Sequence, residues 1–146
     1  MNGYHRFGWV DIVRFQQQLL CLWHWHQQRL RDSLCEGALL LDCHSFPGEM
    51  SDIDICIGFN EDWSKPHKET VELAVNLFES NGYKVGINEP YSNSETPDCP
   101  FLYQSMMLEV NKKTYMEDGT LCLKYQPNDR KSVRELITRL MSELAE

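Results

Sequence analysis

Between positions 11 and 35 the apolar residues Leu19, Trp23, Leu30 and Leu34 recur at helical intervals, with no proline among them and Gly37 where a helix stop is common. The spacing predicts a helix over 11–35. Residues 38–43 (ALLLDC) form a short, almost continuous apolar run, the pattern of a strand covered on both faces in a parallel sheet, ending at His44 and Ser45. In residues 53–58 (IDICIG) the β-branched side chains at 53, 55 and 57 point to one side of a second strand, with Asp54 and Cys56 on the other. Pro66 sits where a first helical turn tolerates it. Beyond it Val71, Ala74, Val75 and Phe78 form an i, i+3, i+4, i+7 stripe ended by Gly82. Residues 83–88 read as a strand, 89–100 as a Pro- and Ser-rich loop of a length usually reserved for function, and 105–111 as another strand. Asn128 or Asp129 then caps a last helix carrying Val133, Leu136, Ile137, Leu140 and Leu144 on one face.

Helix, strand, strand, helix, strand, strand, helix, with apolar strand interiors, predicts an α/β layered domain around a mostly parallel, mixed sheet flanked by helices. At 146 residues the chain is expected to make one domain over 1–146, and 42% hydrophobic residues exclude wholesale disorder. Fourteen Lys and Arg against 22 Asp and Glu leave a net charge of −8, which disfavours nucleic acid as a partner. No run approaches the ~20 apolar residues of a membrane span, and residues 1–10 (MNGYHRFGWV) lack the apolar core of a secretion signal, so no membrane partner and a cytoplasmic location are expected. Six cysteines, at 21, 35, 43, 56, 99 and 122, are widely spaced without a CxxC pair and read as free, mostly buried thiols.

In parallel sheets ligands collect beyond the carboxyl ends of strands, where Asp42, His44, Asn88, Glu109 and Asn111 fall. Asp42 and His44, two apart in extended chain, project from the same face and can share a ligand. His44 reads either as a metal ligand or general base, or as an ordinary hydrogen-bonded histidine at a strand end. Glu109 stands between Leu108 and Val110. Burying an unpaired carboxylate costs several kcal/mol, so Glu109 is either an acid/base candidate with a perturbed pKa or a residue of an edge strand facing water. His24 and His26 face nearly opposite sides of a helix and cannot jointly chelate; His26 falls on the apolar stripe and reads as a packed, hydrogen-bonded side chain. Cys43, facing away from its neighbour His44, reads as a buried thiol, and Ser45 has no Ser-His-Asp setting. No H-E-x-x-H, Walker, GxGxxG or GxSxG motif is present.

Taken in order, L-L-L-D-C-H-S-F-P at 39–47, D-I-C-I-G at 54–58, G-x-x-V-x-I-N-x-P-Y at 82–91 and L-E-V-N-K-K-x-Y-M at 108–116 resemble the N-formylglutamate amidohydrolase family, with the likeness running over 22–144. The resemblance implies part of a fold related to the zinc carboxypeptidases and a metal-dependent hydrolase of histidine breakdown, cleaving the small-molecule N-acyl amino acid N-formyl-L-glutamate to formate and L-glutamate. It implies zinc, with His44 as a ligand, Glu109 as the general acid/base, and Asp42 orienting His44. Asn88, Tyr91 and Asn111 are then site-lining or substrate contacts, and His26 approximately matches a family histidine. Family members are longer, and their amino-terminal half carries a P-H-S segment, further metal-binding residues and substrate-binding arginines that have no counterpart here. The expectation is therefore an amino-terminally truncated member with an incomplete ligand set, whose exposed apolar surface calls for the missing half or a homo-oligomer. Its alternative is a non-catalytic remnant or interaction module, and a further alternative is a carboxypeptidase-like hydrolase of another acidic N-acyl amino acid.

Overall fold

The computed structural model describes residues 9–117, 122–123 and 132–145, with side chains described from Leu19 onward. Its contacts divide into two units, one running to Leu34 with Pro97–Pro100, the other made of Cys35–Thr96 and the chain from Phe101. The first unit holds α1 (Trp9–Ser33), where the predicted helix lies. Gln28 donates to Asp32 one turn on at 2.8 Å, and Arg31 stands 3.7 Å from Asp98. His26 is exposed, which corrects its expected packing: Leu19 and Trp23, its neighbours on the stripe, are exposed too. Among the described residues no helix is long and apolar enough to cross a membrane.

The second unit contains β1 (Leu39–Phe46), β2 (Ile55–Gly58), α2 (Lys68–Glu79), β3 (Val85–Ile87), β4 (Gln104–Asn111) and α3 (Val133–Leu144). The sheet order is β1-β4-β2-β3. β2 and β3 are joined through α2 and run parallel, as a crossover connection requires. β1 and β4 are also parallel, whereas β4 and β2 pair antiparallel, which makes the sheet mixed.

Alternation along the strands sorts the sheet into two faces. Ile55, Ile57, Met106, Leu108 and Val110 form one face, with Leu39 and Leu41 beside them, and pack under the apolar stripes of α2 and α3. Val71, Ala74, Leu77 and Phe78 are the buried positions of α2, and Val133, Leu136 and Leu140 those of α3. Pro66 lies before the cap residue His67, outside the first turn where the sequence pattern put it. The cap of α3 is Ser132, whose hydroxyl accepts from Glu135 N while Glu135 accepts in return from Ser132 N, a reciprocal box that satisfies two orphan donors. The predicted caps Asn128 and Asp129 lie outside the described residues.

β1 departs from its prediction. It forms the edge of the sheet, not a strand covered on both faces, and its second half from Cys43 to Ser45 is exposed. The same edge position corrects Cys43, expected to be buried. All six cysteines are free, but only Cys56 is buried, with Cys99 half-buried.

Candidate functional site

Because β1 and β4 run parallel, their carboxyl ends finish on the same side of the sheet. Their register sets His44 opposite Glu109, the β2 register sets Glu109 opposite Cys56, and the β3 register sets Cys56 opposite Gly86. A row of four residues thus crosses the sheet on the face turned away from α2 and α3. Asp42 and Met107 lie one step before this row, Phe46 and Asn111 one step after it.

Asp42 Oδ1 is 2.7 Å from His44 Nε2, the length of a charge-assisted hydrogen bond. The Asp42 side chain is 22% exposed and that of His44 52% exposed, so a largely covered carboxylate holds an accessible ring. One ring nitrogen is thereby engaged, which fixes how the imidazole is presented.

Glu109 sits on β4, with a neighbour strand on either side, which removes the edge-strand reading. Its Oε2 is shut off from solvent and has no hydrogen-bond partner among the described residues. Burial pushes its carboxyl above the ordinary glutamate value; His44 opposes the shift and Asp42 adds to it. The result is an acid that keeps its proton longer than an exposed glutamate does.

Cys56 forms the floor beside it. Its thiol donates to the Tyr91 carbonyl at 3.3 Å, and burial, aided by the Glu109 and Glu89 charges, raises its pKa against the backbone contacts to Tyr91 and Glu89. Partial burial of the thiol and the Asp42 charge also push Cys43 up, so neither sulfur has the environment of an activated nucleophile.

The loop after β3 covers part of this face because two glycines let its backbone approach. A Cβ on Gly86 would lie 2.5 Å from the Glu89 carbonyl oxygen. One on Gly58 would overlap the Met107 methyl and lie 3.1 Å and 3.2 Å from the carbonyls of Asn93 and Tyr91. Tyr91 is pinned at both ends: its ring meets Phe46 edge-on at 5.9 Å, and its hydroxyl donates to Met50 Sδ at 3.5 Å. Further along, the Ser94 hydroxyl donates to the Ser105 carbonyl at 3.2 Å and accepts from Asn60 Nδ2 at 3.4 Å.

The structure brings Asp42, His44, Glu109 and Tyr91 to one region, and it gives the two asparagines other work. Asn111 is fully buried; its amide donates to Ser51 O at 3.0 Å and Ile53 O at 2.8 Å and accepts from Lys113 N at 3.0 Å. Expected as a site-lining or substrate contact, the Asn111 amide is engaged here with backbone groups. Asn88, at φ 54°, accepts from Phe59 N at 2.9 Å and so braces the end of β2. Cys56, Gly58 and Gly86 were missed as parts of the site, although D-I-C-I-G alternation already put Cys56 on a different face from the core isoleucines.

A family model for N-formylglutamate amidohydrolase matches residues 14–116. The chain belongs to the N-formylglutamate amidohydrolase family. The match begins within α1, earlier than residue 22, and ends at Met116, the last residue of the E-V-N-K-K-x-Y-M block. In fold, this family member is similar to the crystal structure of N-formylglutamate amidohydrolase from Ralstonia eutropha, with a TM-score of 0.57 and 21% identity over 75% of this chain and 44% of that one. It therefore spans under half the length of that relative. Comparison with curated proteins finds no match.

Zinc is the ion that the resemblance implies for this family member. The donor types suit it, an imidazole oriented by a carboxylate beside an unpartnered carboxylate oxygen. Their number falls short: among the described residues no group of three or more His, Cys, Asp or Glu can hold an ion, whereas a catalytic zinc takes three protein ligands. His44 fits one corner of such a site.

Proposed function

We propose that this chain carries the His44 and Glu109 portion of a metal-dependent amidohydrolase centre that cleaves N-formyl-L-glutamate to formate and L-glutamate. The observation that carries this reading is Glu109 Oε2, shut off from solvent and without a partner among the described residues, on a side chain set in register beside an imidazole that Asp42 holds at 2.7 Å. Family membership supports N-formyl-L-glutamate as the substrate of this reading.

In this reading His44 would give one ligand to zinc, and a complete site would need further ligands beyond those the described residues bring together. Zinc, when bound, supplies Lewis acidity and an acidified water. Glu109 takes a proton from the attacking water and returns it to the departing amine. Its raised pKa suits both steps, because a group that titrates nearer neutrality gives and accepts protons more readily at working pH. Asp42 keeps the His44 ring in one orientation through the cycle. Cys56 lies beside Glu109 in the row and donates its thiol to the Tyr91 carbonyl, which ties the loop to this face.

The shortfall of ligands favours a second reading, a non-catalytic module that keeps these residues without turnover. Formate release from N-formyl-L-glutamate, followed with zinc added and with zinc chelated, separates the two. Zinc-dependent release supports the hydrolase; none under either condition leaves the module.

A further inference from the structure

On the helix side of the sheet a cleft of about 560 Å³ opens between the ends of β1 and β4 and the first half of α3. Val110, Tyr115, Val133 and Ile137 make its walls predominantly apolar. Val110 and Val133 belong to the packed core and Tyr115 and Ile137 lie against it, so the shape of this wall is set by the fold. The volume falls within the roughly 300–1,000 Å³ of small-molecule sites, which are apolar with a few placed polar groups.

His44 stands at the strand end of the cleft and Arg134, in the first turn of α3, on the helix side, while no described carboxylate lines it. An anionic head group is therefore favoured near Arg134 and an apolar tail along Val110, Val133 and Ile137. A formyl group has no tail to cover these walls. Glu109 does not line the cleft, but His44 borders both the cleft and the catalytic row, which joins the two.

We propose that this cleft takes the apolar acyl chain of N-acyl amino acids longer than the formyl compound, with Arg134 facing the amino-acid carboxylate and the amide lying at the β1 end of the cleft, where His44 borders it. The placement of the amide rests on the hydrolase reading; occupation of the cleft does not. Each methylene buried here should tighten binding up to about fourfold.

Calorimetric titration of the full chain with N-formyl-, N-acetyl-, N-butanoyl- and N-hexanoyl-L-glutamate tests it, with formate or carboxylate release followed in parallel. Affinity is expected to rise along the series, with the hexanoyl compound at least about tenfold tighter than the acetyl. Ile137→Trp, which fills the cleft, is expected to abolish that gain, with folding checked by near-UV circular dichroism. If that variant does not fold, Ile137→Ala and backbone amide shifts at 133–138 on adding N-hexanoyl-L-glutamate carry the test. A flat series, a hexanoyl gain that persists in folded Ile137→Trp, or shifts that miss 133–138 overturn the proposal. Formate release with a flat series removes the cleft and keeps the hydrolase; a rising series without turnover removes the hydrolase and keeps the cleft.

Discussion

His44 of β1 and Glu109 of β4 are direct partners in the register of two parallel strands. Parallel pairing gives them the same face and the same strand end, and Asp42, two residues before His44, reaches the ring at 2.7 Å. Asp42→Asn keeps the size of this side chain but removes its charge. The expected outcome is a loss of about 10- to 100-fold in zinc affinity or in kcat/KM, with the melting temperature little changed. Equilibrium dialysis against zinc and a thermal melt check both halves.

Glu109 makes stability depend on pH in a defined direction. Its folded-state pKa is raised, so the folded chain holds this proton more tightly than the unfolded chain. The contribution is full below the ordinary glutamate range and is lost as pH rises through it toward the folded value. Glu109→Gln has no charge to desolvate. It is expected to be more stable than wild type at pH 7 and to converge with it below about pH 4 in urea unfolding of the metal-free protein.

Asn111 is predicted to matter for folding. Removing an amide that donates to Ser51 O and Ile53 O and accepts from Lys113 N takes these bonds from Ile53 O and Lys113 N, while Ser51 O keeps Lys113 Nζ at 3.0 Å. Asn111→Ala should cost about 2–4 kcal/mol. Urea midpoints give the number.

Gly86→Ala tests whether the loop lies on the sheet as closely as described. The new methyl meets the Glu89 carbonyl at 2.5 Å and Ile53 at 3.3 Å, so the loop has to lift. A loss of about 1–3 kcal/mol is expected, roughly 2–12 °C in melting temperature for a chain of this size.

What was legible in the sequence was mostly local. The stripe of α2, the stripe of α3 and the shared face of Asp42 and His44 all follow from periods of 3.6 and 2 within one segment. What failed depends on partners far along the chain. An apolar run such as LLL reads the same in a central strand and at an edge, and only the order β1-β4-β2-β3 exposes Cys43 while enclosing Glu109. The Asn111 amide likewise finds its acceptors in the turn after β1, a contact no spacing announces.

The most direct test compares kcat/KM for formate release from N-formyl-L-glutamate by wild type, Glu109→Gln and His44→Ala at matched folded fraction and zinc content. The account predicts measurable wild-type turnover and a loss of at least about 100-fold in each variant. Wild-type turnover that Glu109→Gln retains would contradict it.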